Sequence, residues 1–222
     1  MNVSPYYKDT GKVAFASQIS MYIRRKMFTK FMNVIKPNEN QKILDIGVTS
    51  DTKYQESNYF EKLYPYKDKI VCVGTEDGSH LETQYLGIRF VQIVPQNPLP
   101  FRNKEFDIAF CNAVIEHVGD SGKQKKFINE MLRVSKFFFL TTPNRWYPVE
   151  FHTAIPLLHF LPKKIYRKAL NILGETYWSK EENLNFLSKK ELRELFPKGS
   201  NIIIDDVRLL GLSTNLIAYG KS

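Results

Sequence analysis

Short apolar runs alternate with helix-like segments along the chain, and this alternation constrains the fold more than any other feature. The runs with the length and composition of buried strands are residues 42–47, 70–73, 88–94, 106–111 and 137–141. Because strands of this length that alternate with helices build βαβ units, they predict a doubly wound, mostly parallel α/β sheet. Two later runs, residues 201–204 and 216–219, predict an antiparallel C-terminal edge of the same sheet.

No internal repeat and no Ser-, Gly- or Pro-rich linker divides the chain, so all 222 residues are interpreted as one domain. Apolar residues at helical spacing predict an N-terminal helix that Pro37 ends. Ser188, with Glu191 three residues later, has the capping-box pattern that predicts a further helix. The predicted parts are the N-terminal helix at 12–36, a ligand-binding core at 40–145, a lid or substrate region at 146–186, and a closing helix with a strand pair at 187–222.

Composition narrows the class of protein. Hydrophobic residues make up 43% of the chain and no run approaches the ~20 apolar residues of a membrane span, while residues 1–11 lack the apolar stretch of a secretory signal. The two cysteines, Cys72 and Cys111, lie in apolar runs, which indicates reduced core thiols and a cytoplasmic location. Membrane-spanning, secreted disulfide-rich, fibrous and disordered classes are therefore excluded.

Residues 146–173 interrupt the alternation with three prolines, an apolar segment at 155–161 and a basic helix-like run at 163–168. An insertion after the carboxyl end of a strand lies over the crevice in which open α/β sheets bind ligands. We therefore expect a helical lid insertion, or substrate wall, on a Rossmann-like sheet. An ordinary pair of surface helices is the alternative.

Two loops at the carboxyl ends of strands carry residues that suit a nucleoside. The first strand ends in Asp45 and Gly47, and a glycine there lets the backbone turn sharply and approach a ligand. Glu76 and Asp77 follow the second strand, where a carboxylate can accept hydrogen bonds from both ribose hydroxyls. The first loop lacks the Gly-x-Gly-x-x-Gly pattern of dinucleotide oxidoreductases, so that class is disfavoured.

Four motifs in sequence order extend this pattern. Leu-Asp-Ile-Gly at residues 44–47 and the acidic end of the second strand precede Leu-Pro-Phe at 99–101 with Phe-Asp at 106–107, and Glu-His at 116–117. In this order and separation they resemble the class I S-adenosylmethionine-dependent methyltransferases over residues 40–145. The segments 141–146 and 150–153 resemble a narrower subgroup of bacterial methyltransferases, associated with modification of surface glycans or small metabolites.

The resemblance implies S-adenosylmethionine as the cofactor. It also implies a set of cofactor-binding residues: Asp45, Gly47, Val48 and Thr49 at the methionine end; Glu76, or its rival Asp77, at the ribose; Gln96 and Asn97 at the adenine; Asn112 and Ala113 under the sulfonium and the ribose. Two departures leave weakened binding, or loss of methyl transfer, as an alternative. Thr49 and Asp51 stand where the family has Gly, so a positive φ at either would strain the loop, and Pro95 lies in the region of a usual acid.

A sulfonium methyl is already activated, so such an enzyme mainly aligns its acceptor and excludes water. A hydroxyl acceptor gains from a base whose pKa is near 7, for which His is the usual choice. His152, expected beside the acceptor pocket, is our first choice for this base, and His117 is a second candidate for which packing is the alternative role. Glu150 completes the catalytic set; a divalent metal shared by Glu150 and His152 is an alternative, but no metal site is expected.

The predicted function is methyl transfer from S-adenosylmethionine to a small-molecule or glycan-type acceptor, with oxygen preferred over nitrogen. The net charge of +9 favours an anionic partner. One alternative is methylation of nucleic acid or protein, although no recognised RNA-binding module favours nucleic acid. Another is a lipid-linked acceptor at an anionic membrane surface, with residues 155–161 in the interface and residues 163–168 at the headgroups. A non-enzymatic protein that binds S-adenosylmethionine is the last alternative.

Overall fold

The computed structural model describes residues 13–149, 152–153 and 155–222. Its strands are β1 (Ile43–Ile46), β2 (Ile70–Gly74), β3 (Arg89–Gln92), β4 (Phe106–Asn112), β5 (Ser135–Pro143), β6 (Ile202–Leu209) and β7 (Leu212–Lys221). They form one sheet in the order β3-β2-β1-β4-β5-β7-β6, parallel except that β7 runs antiparallel to both neighbours. The doubly wound, mostly parallel sheet with an antiparallel C-terminal edge is confirmed.

The described residues form six α-helices. They are α1 (Val13–Ile35), α2 (Tyr59–Leu63), α3 (His80–Gln84), α4 (Ser121–Val134), α5 (Lys163–Ile172) and α6 (Lys189–Leu195). The helix α1 ends two residues before Pro37, because Lys36 takes a positive φ of 52° and the residue before a proline avoids the helical region. At the start of α6, Glu191 accepts a hydrogen bond from the Ser188 amide at 2.8 Å, and its own amide donates to the Ser188 hydroxyl at 3.3 Å. The predicted capping box is therefore confirmed.

The face of the sheet that carries α1 is packed with aromatic rings. Phe110 of β4 lies stacked on Phe60 of α2 with ring centroids 4.1 Å apart, and Phe31 of α1 meets Phe110 edge-on at 5.3 Å. Phe139 of β5 stacks against the other side of Phe110. All four rings are buried, so they fix the height of α1 and α2 above the strands that end at the ligand-binding edge.

The strands β6 and β7 form a hairpin that also holds α1. Leu210 and Gly211 connect the two strands with φ values of 51° and 83°, the left-handed geometry of a two-residue hairpin turn. Lys30 of α1 forms an ion pair with Asp205 of β6 at 2.5 Å, and the Lys26 ammonium donates to the Arg208 carbonyl at 3.0 Å. The helix that covers one face of the sheet is therefore tied to its antiparallel edge.

The insertion after β5 has a small core of its own. The buried residues of this core are Tyr166, Leu170, Trp178, Leu184 and Phe186. Lys163, at the start of α5, donates to Asn185 at 2.9 Å and forms an ion pair with Glu191 of α6 at 2.9 Å, so the insertion is anchored to the rest of the fold. Among the residues described, no helix combines the length and apolar composition needed to cross a bilayer.

Candidate cofactor and acceptor site

A cavity of about 1190 Å³ opens at the carboxyl ends of β1, β2 and β4. This volume exceeds the roughly 300–1,000 Å³ of a site for one small ligand, so it has room for a nucleoside and a second molecule. Residues of α1 line one side, and Tyr147, His152 and Phe186 of the insertion line another. The insertion therefore contributes a wall of the crevice, as an insertion after the fifth strand was expected to do.

The loop after β1 makes a tight turn at Gly47, whose φ is +102°. A Cβ at this position would lie 2.1 Å from the Val114 side chain, which explains the need for glycine. The amides of Gly47 and Val48 both donate to the Val73 carbonyl, at 2.8 and 3.2 Å, and the Thr49 amide donates to Asn58 at 3.0 Å. Gly47, Val48 and Thr49 line the cavity as predicted, but these three amides already have partners and cannot serve a ligand.

The strain that the sequence raised at Thr49 and Asp51 is not found, because neither residue has a positive φ. Asp51 instead organises the turn that follows: its carboxylate accepts hydrogen bonds from the Lys53 and Tyr54 amides, each at 3.2 Å. Side-chain hydrogen bonds thus hold this turn, and the loop does not need glycine at these positions. Pro95 lines the cavity without filling it.

Of the two acids after β2, only Glu76 lines the cavity. Its Oε2 accepts from the Ser50 hydroxyl at 2.6 Å and from the Ser50 amide at 3.3 Å, and every described hydrogen bond to Glu76 ends on this oxygen. Asp77 is exposed and accepts from the Ser79 amide at 2.9 Å. The structure therefore distinguishes the two candidate acids. The Oε1 atom of Glu76 is available to a ribose hydroxyl, whereas Asp77 does not lie at the site.

The remaining predicted cofactor residues also line the cavity. Gln96 and Asn97 lie on its rim, where the Gln96 side chain donates to the Val118 carbonyl at 3.0 Å. Asn112 and Ala113 form its floor at the end of β4, and the side-chain Oδ1 of Asn112 accepts from the Thr141 hydroxyl at 2.7 Å. Ala113 has a positive φ of 55°, a backbone strain of the kind that collects at functional sites.

Below this floor, two carboxyl groups share a buried position. Asp45 of β1 lines the cavity and is almost wholly buried, and burial together with the neighbouring Glu61 raises the pKa of Asp45 well above its usual range. Glu61 is fully buried and accepts from the Cys72 thiol at 3.1 Å, while its Oε2 atom has no hydrogen-bond partner among the described residues. Burial and the nearby Glu61 carboxylate thus both disfavour the charged form of Asp45.

Arg24 of α1 is a cavity residue that the sequence analysis missed. Its guanidinium lies 5.6 Å from the Tyr59 ring centroid, and its Nη1 atom is buried without a hydrogen-bond partner in the described part of the chain. A signal was available: Ser20 and Arg24 occupy the same helical stripe as the buried Met27 and Phe31, where apolar residues would be expected. A cation in that position indicates a negatively charged group in the cavity.

The end of the cavity beyond Asn112 holds a second missed residue, Glu116. This carboxyl is fully buried; its Oε2 accepts from the Thr142 hydroxyl at 2.8 Å, and its Oε1 has no hydrogen-bond partner among the described residues. Burial raises the pKa of Glu116 to about 7. In the Glu-His motif, the sequence analysis considered only the histidine as a catalytic candidate. The burial of the glutamate depends on contacts with β5, which a sequence motif does not reveal.

Two histidines surround Glu116. His117 Nδ1 lies 2.7 Å from the Asn183 carbonyl, so this nitrogen carries the proton, and Nε2 lies 3.9 Å from Glu116 Oε1. The His152 ring lies between His117 and Trp178, at centroid distances of 5.1 and 4.9 Å. Both histidines line the cavity, whereas Glu150 lies outside the described residues. The described residues contain no group of three or more His, Cys, Asp or Glu side chains able to hold a metal ion.

Comparison with known proteins agrees with this architecture. Residues 61–137, from α2 into β5, match the family described as a methyltransferase domain. No curated protein is similar enough to count as a match. Among solved structures, the YcgJ protein of Bacillus subtilis aligns over 83% of this chain and 71% of its own, with 18% identity and a TM-score of 0.55.

Two further structures have the same fold. A SAM-dependent methyltransferase from Methanosarcina mazei shares 16% identity over 82% of this chain and 92% of its own, with a TM-score of 0.51. A SAM-dependent methyltransferase from Thermotoga maritima, described as a possible histamine N-methyltransferase, shares 14% identity over 94% and 95%, with a TM-score of 0.54. Residues 61–137 match a methyltransferase domain, and the fold is shared with solved S-adenosylmethionine-dependent methyltransferases, which supports methyl transfer as the activity and S-adenosylmethionine as the cofactor.

The residues at the edge of the sheet fit this cofactor. Glu76 Oε1 suits a ribose hydroxyl, and the unpartnered Nη1 of Arg24 suits a carboxylate. The close approach of the backbone at Gly47 leaves space beside the floor formed by Asn112. When bound, S-adenosylmethionine supplies a methyl group that is already activated for transfer.

Proposed function

We propose that this methyltransferase modifies a hydroxyl group of a small-molecule or glycan-type acceptor, and that the acceptor binds at the end of the cavity formed by Glu116, His117 and His152. The observation that carries the proposal is the buried Glu116 carboxyl, which has a pKa of about 7 and a free Oε1 beside two imidazoles. A hydroxyl loses its proton as its oxygen is methylated. A base at this end of the cavity therefore favours an oxygen acceptor over a nitrogen acceptor.

His152 receives the acceptor proton, and the Glu116 carboxylate stabilises the imidazolium that results. Bound S-adenosylmethionine would supply the methyl group to the acceptor oxygen and would leave as S-adenosylhomocysteine. Trp178 and Phe186 pack against the His152 ring, with Phe186 at a centroid distance of 5.6 Å, and they keep water from this end of the cavity. Glu150 is proposed as a further member of this set on the sequence pattern alone.

Finer assignments belong to the same proposal. The segments 141–146 and 150–153 support membership of the narrower bacterial subgroup, and the two buried thiols support a cytoplasmic location.

The test is to incubate the protein with methyl-labelled S-adenosylmethionine and a small-molecule extract, then to identify the labelled product by mass spectrometry. A methyl ether is the expected product. The His152→Ala variant should lower the rate by about 100-fold or more, since a positioned base contributes roughly 10²–10⁴-fold. Binding of S-adenosylhomocysteine should stay within about twofold of the unaltered protein.

His80, which begins α3 and does not line the cavity, provides the matched control: His80→Ala should leave the rate unchanged. A labelled amine as the only product, or an undiminished rate in His152→Ala, would contradict the proposal.

A further inference from the structure

The outer face of the insertion exposes apolar and basic side chains together. Ile165 and Ile172 of α5 are 54% and 77% exposed, although the same helix buries Tyr166 and Leu170 on its inner side. Leu161 and Leu173 extend this exposed face beyond the two ends of the helix. A set of exposed residues makes up this surface, which we call the apolar–basic face: Trp146, Leu157, Leu161, Lys164, Ile165, Lys168, Ile172 and Leu173.

Two contacts hold the part of this face that precedes α5. The Trp146 ring packs on Phe160 at a centroid distance of 5.6 Å, and Arg145 donates to the Leu161 carbonyl at 3.0 Å. Because residues three, four and seven positions apart share one side of a helix, Lys164 and Lys168 lie on the same side as Ile165 and Ile172. The exposed apolar and basic side chains of α5 therefore share one side of the helix.

The basic residues of α5 divide into two groups. Lys163 and Arg167 are partly buried and form ion pairs with Glu191 at 2.9 Å and Glu181 at 3.2 Å. No ion pair is recorded for Lys164 or Lys168 within the described ranges. The charges that point outward are thus available to a partner, and both of them are positive.

We propose that the apolar–basic face docks on an anionic lipid bilayer. Exposed aliphatic side chains and a Trp beside unpaired lysines are the composition with which an interfacial helix enters the headgroup region of anionic membranes. A symmetric contact with a second copy is disfavoured, because it would bring the lysines of two chains of net charge +9 together. A convex helix also offers no groove for a peptide.

This docking would bring the cavity to the membrane. Tyr147 and Val149, one and three residues after Trp146, line the cavity. The apolar–basic face therefore lies next to the wall that the insertion contributes to the cavity. An acceptor carried on a lipid could then present its headgroup to the site without leaving the bilayer. The docking itself goes beyond the proposed methyl transfer and does not depend on it.

The test is flotation of the full chain with vesicles of phosphatidylcholine alone and vesicles that also contain phosphatidylglycerol. We expect binding to the anionic vesicles only. Lys164→Gln with Lys168→Gln should lower the partition coefficient by about 25-fold, from about fivefold for each lysine near an anionic surface. Ile165→Gln with Ile172→Gln should lower it by about 10-fold or more through the lost apolar insertion.

Matched controls lie elsewhere on the molecule. Leu86→Gln with Leu210→Gln removes two apolar side chains that are even more exposed, and Lys189→Gln with Lys190→Gln removes two exposed charges. Both control pairs should float as the unaltered protein does. Binding of S-adenosylhomocysteine, measured on every variant, shows that each is folded and keeps the test separate from the fate of the acceptor proposal.

Fluorescence locates the contact. The chain has two Trp residues, and Trp178 is buried whereas Trp146 is 52% exposed. Anionic vesicles should shift the emission to shorter wavelength in the unaltered protein but not in Trp146→Phe. The proposal is overturned if the chain ignores anionic vesicles, if it floats equally with neutral ones, or if the control pairs lose binding as much as the lysine and isoleucine pairs do.

Discussion

At the scale of single residues, the buried carboxyl of Glu116 makes stability depend on pH. Burial raises the pKa of Glu116 from 4.5 to about 7, so the native state holds this proton over a range in which the unfolded chain has lost it. The stabilising protonation is present below about pH 4.5 and is lost as the pH rises through about 7. Above that pH, the ionised carboxyl costs about 3 kcal/mol.

Glu116→Gln should remove this dependence, because glutamine resembles the protonated acid at every pH. We expect the free energy of unfolding of the variant, relative to the unaltered protein, to rise by about 3 kcal/mol between about pH 5 and about pH 8, measured by urea denaturation. Packing changes cancel in this difference. The exposed Glu39, changed to Gln, should give the same result at both pH values. A difference for Glu116→Gln that does not vary with pH would show that the carboxyl is not the source.

A second prediction concerns the two acids after β2. Glu76→Gln should weaken the binding of S-adenosylmethionine by about 10- to 100-fold, the effect of losing hydrogen bonds to a charged acceptor. Asp77→Asn is the matched control, because Asp77 does not line the cavity, and it should leave the dissociation constant unchanged. Titration calorimetry measures both variants. Equal losses in the two variants would argue against Glu76 as the ribose ligand.

The same two acids show how far sequence can go at this scale. Both follow the second strand, so the motif predicted that one of them holds the ribose, but side-chain direction depends on the turn and on the hydroxyl of Ser50. Glu116 and Arg24 were missed for a related reason: their burial results from packing against β5 and over the cavity, which are long-range contacts. Local sequence patterns did identify the strand ends and the glycines, because the roles of these positions depend on the backbone close to them.

At the scale of elements, the loop after β1 packs against the turn that follows β4. Gly47 of the loop and Val114 of the turn lie at the point of contact. Gly47→Ala should destabilise the protein by about 4 kcal/mol, because it combines a positive φ with a Cβ 2.1 Å from Val114. Adding Val114→Ala should recover part of this loss, since it removes the nearest methyl group but not the backbone strain. Chemical denaturation of the two single variants and the double variant measures the coupling.

Gly174→Ala serves as the control for the backbone effect alone. This glycine has a φ of +82°, and an added Cβ would meet nothing within 4 Å, so a loss of only about 1–3 kcal/mol is expected. If Val114→Ala gave no recovery in the Gly47→Ala background, steric contact between the two loops would not be the cause.

The elements themselves were largely predictable, and their ends were not. Runs of apolar residues indicated the five parallel strands, because strands buried on both faces need them. The hairpin was predicted as two runs of four residues, whereas β6 and β7 span Ile202–Leu209 and Leu212–Lys221. Polar residues of an edge hairpin pair through the backbone, so the apolar pattern ends before the strands do.

At the scale of the whole molecule, the two thiols report on global unfolding. Cys72 and Cys111 lie on central strands and are completely buried, and burial raises the pKa of each thiol. We expect neither to react with Ellman's reagent in the native protein over minutes, and both to react in denaturant. The labelling rate should fall when S-adenosylhomocysteine is added, because a ligand that binds only the native state lowers the unfolded population. Rapid labelling of native protein would contradict the burial of these strands.

The position of β7 between β5 and β6 has a consequence for biosynthesis. The strand β6 reaches the sheet only through β7, and α1 is tied to β6 by the Lys30–Asp205 ion pair. A nascent chain therefore cannot complete the outer edge until the hairpin has left the ribosome and docked as a unit. Since α1 carries Arg24 over the crevice, the placement of this side chain is completed only when the hairpin has docked.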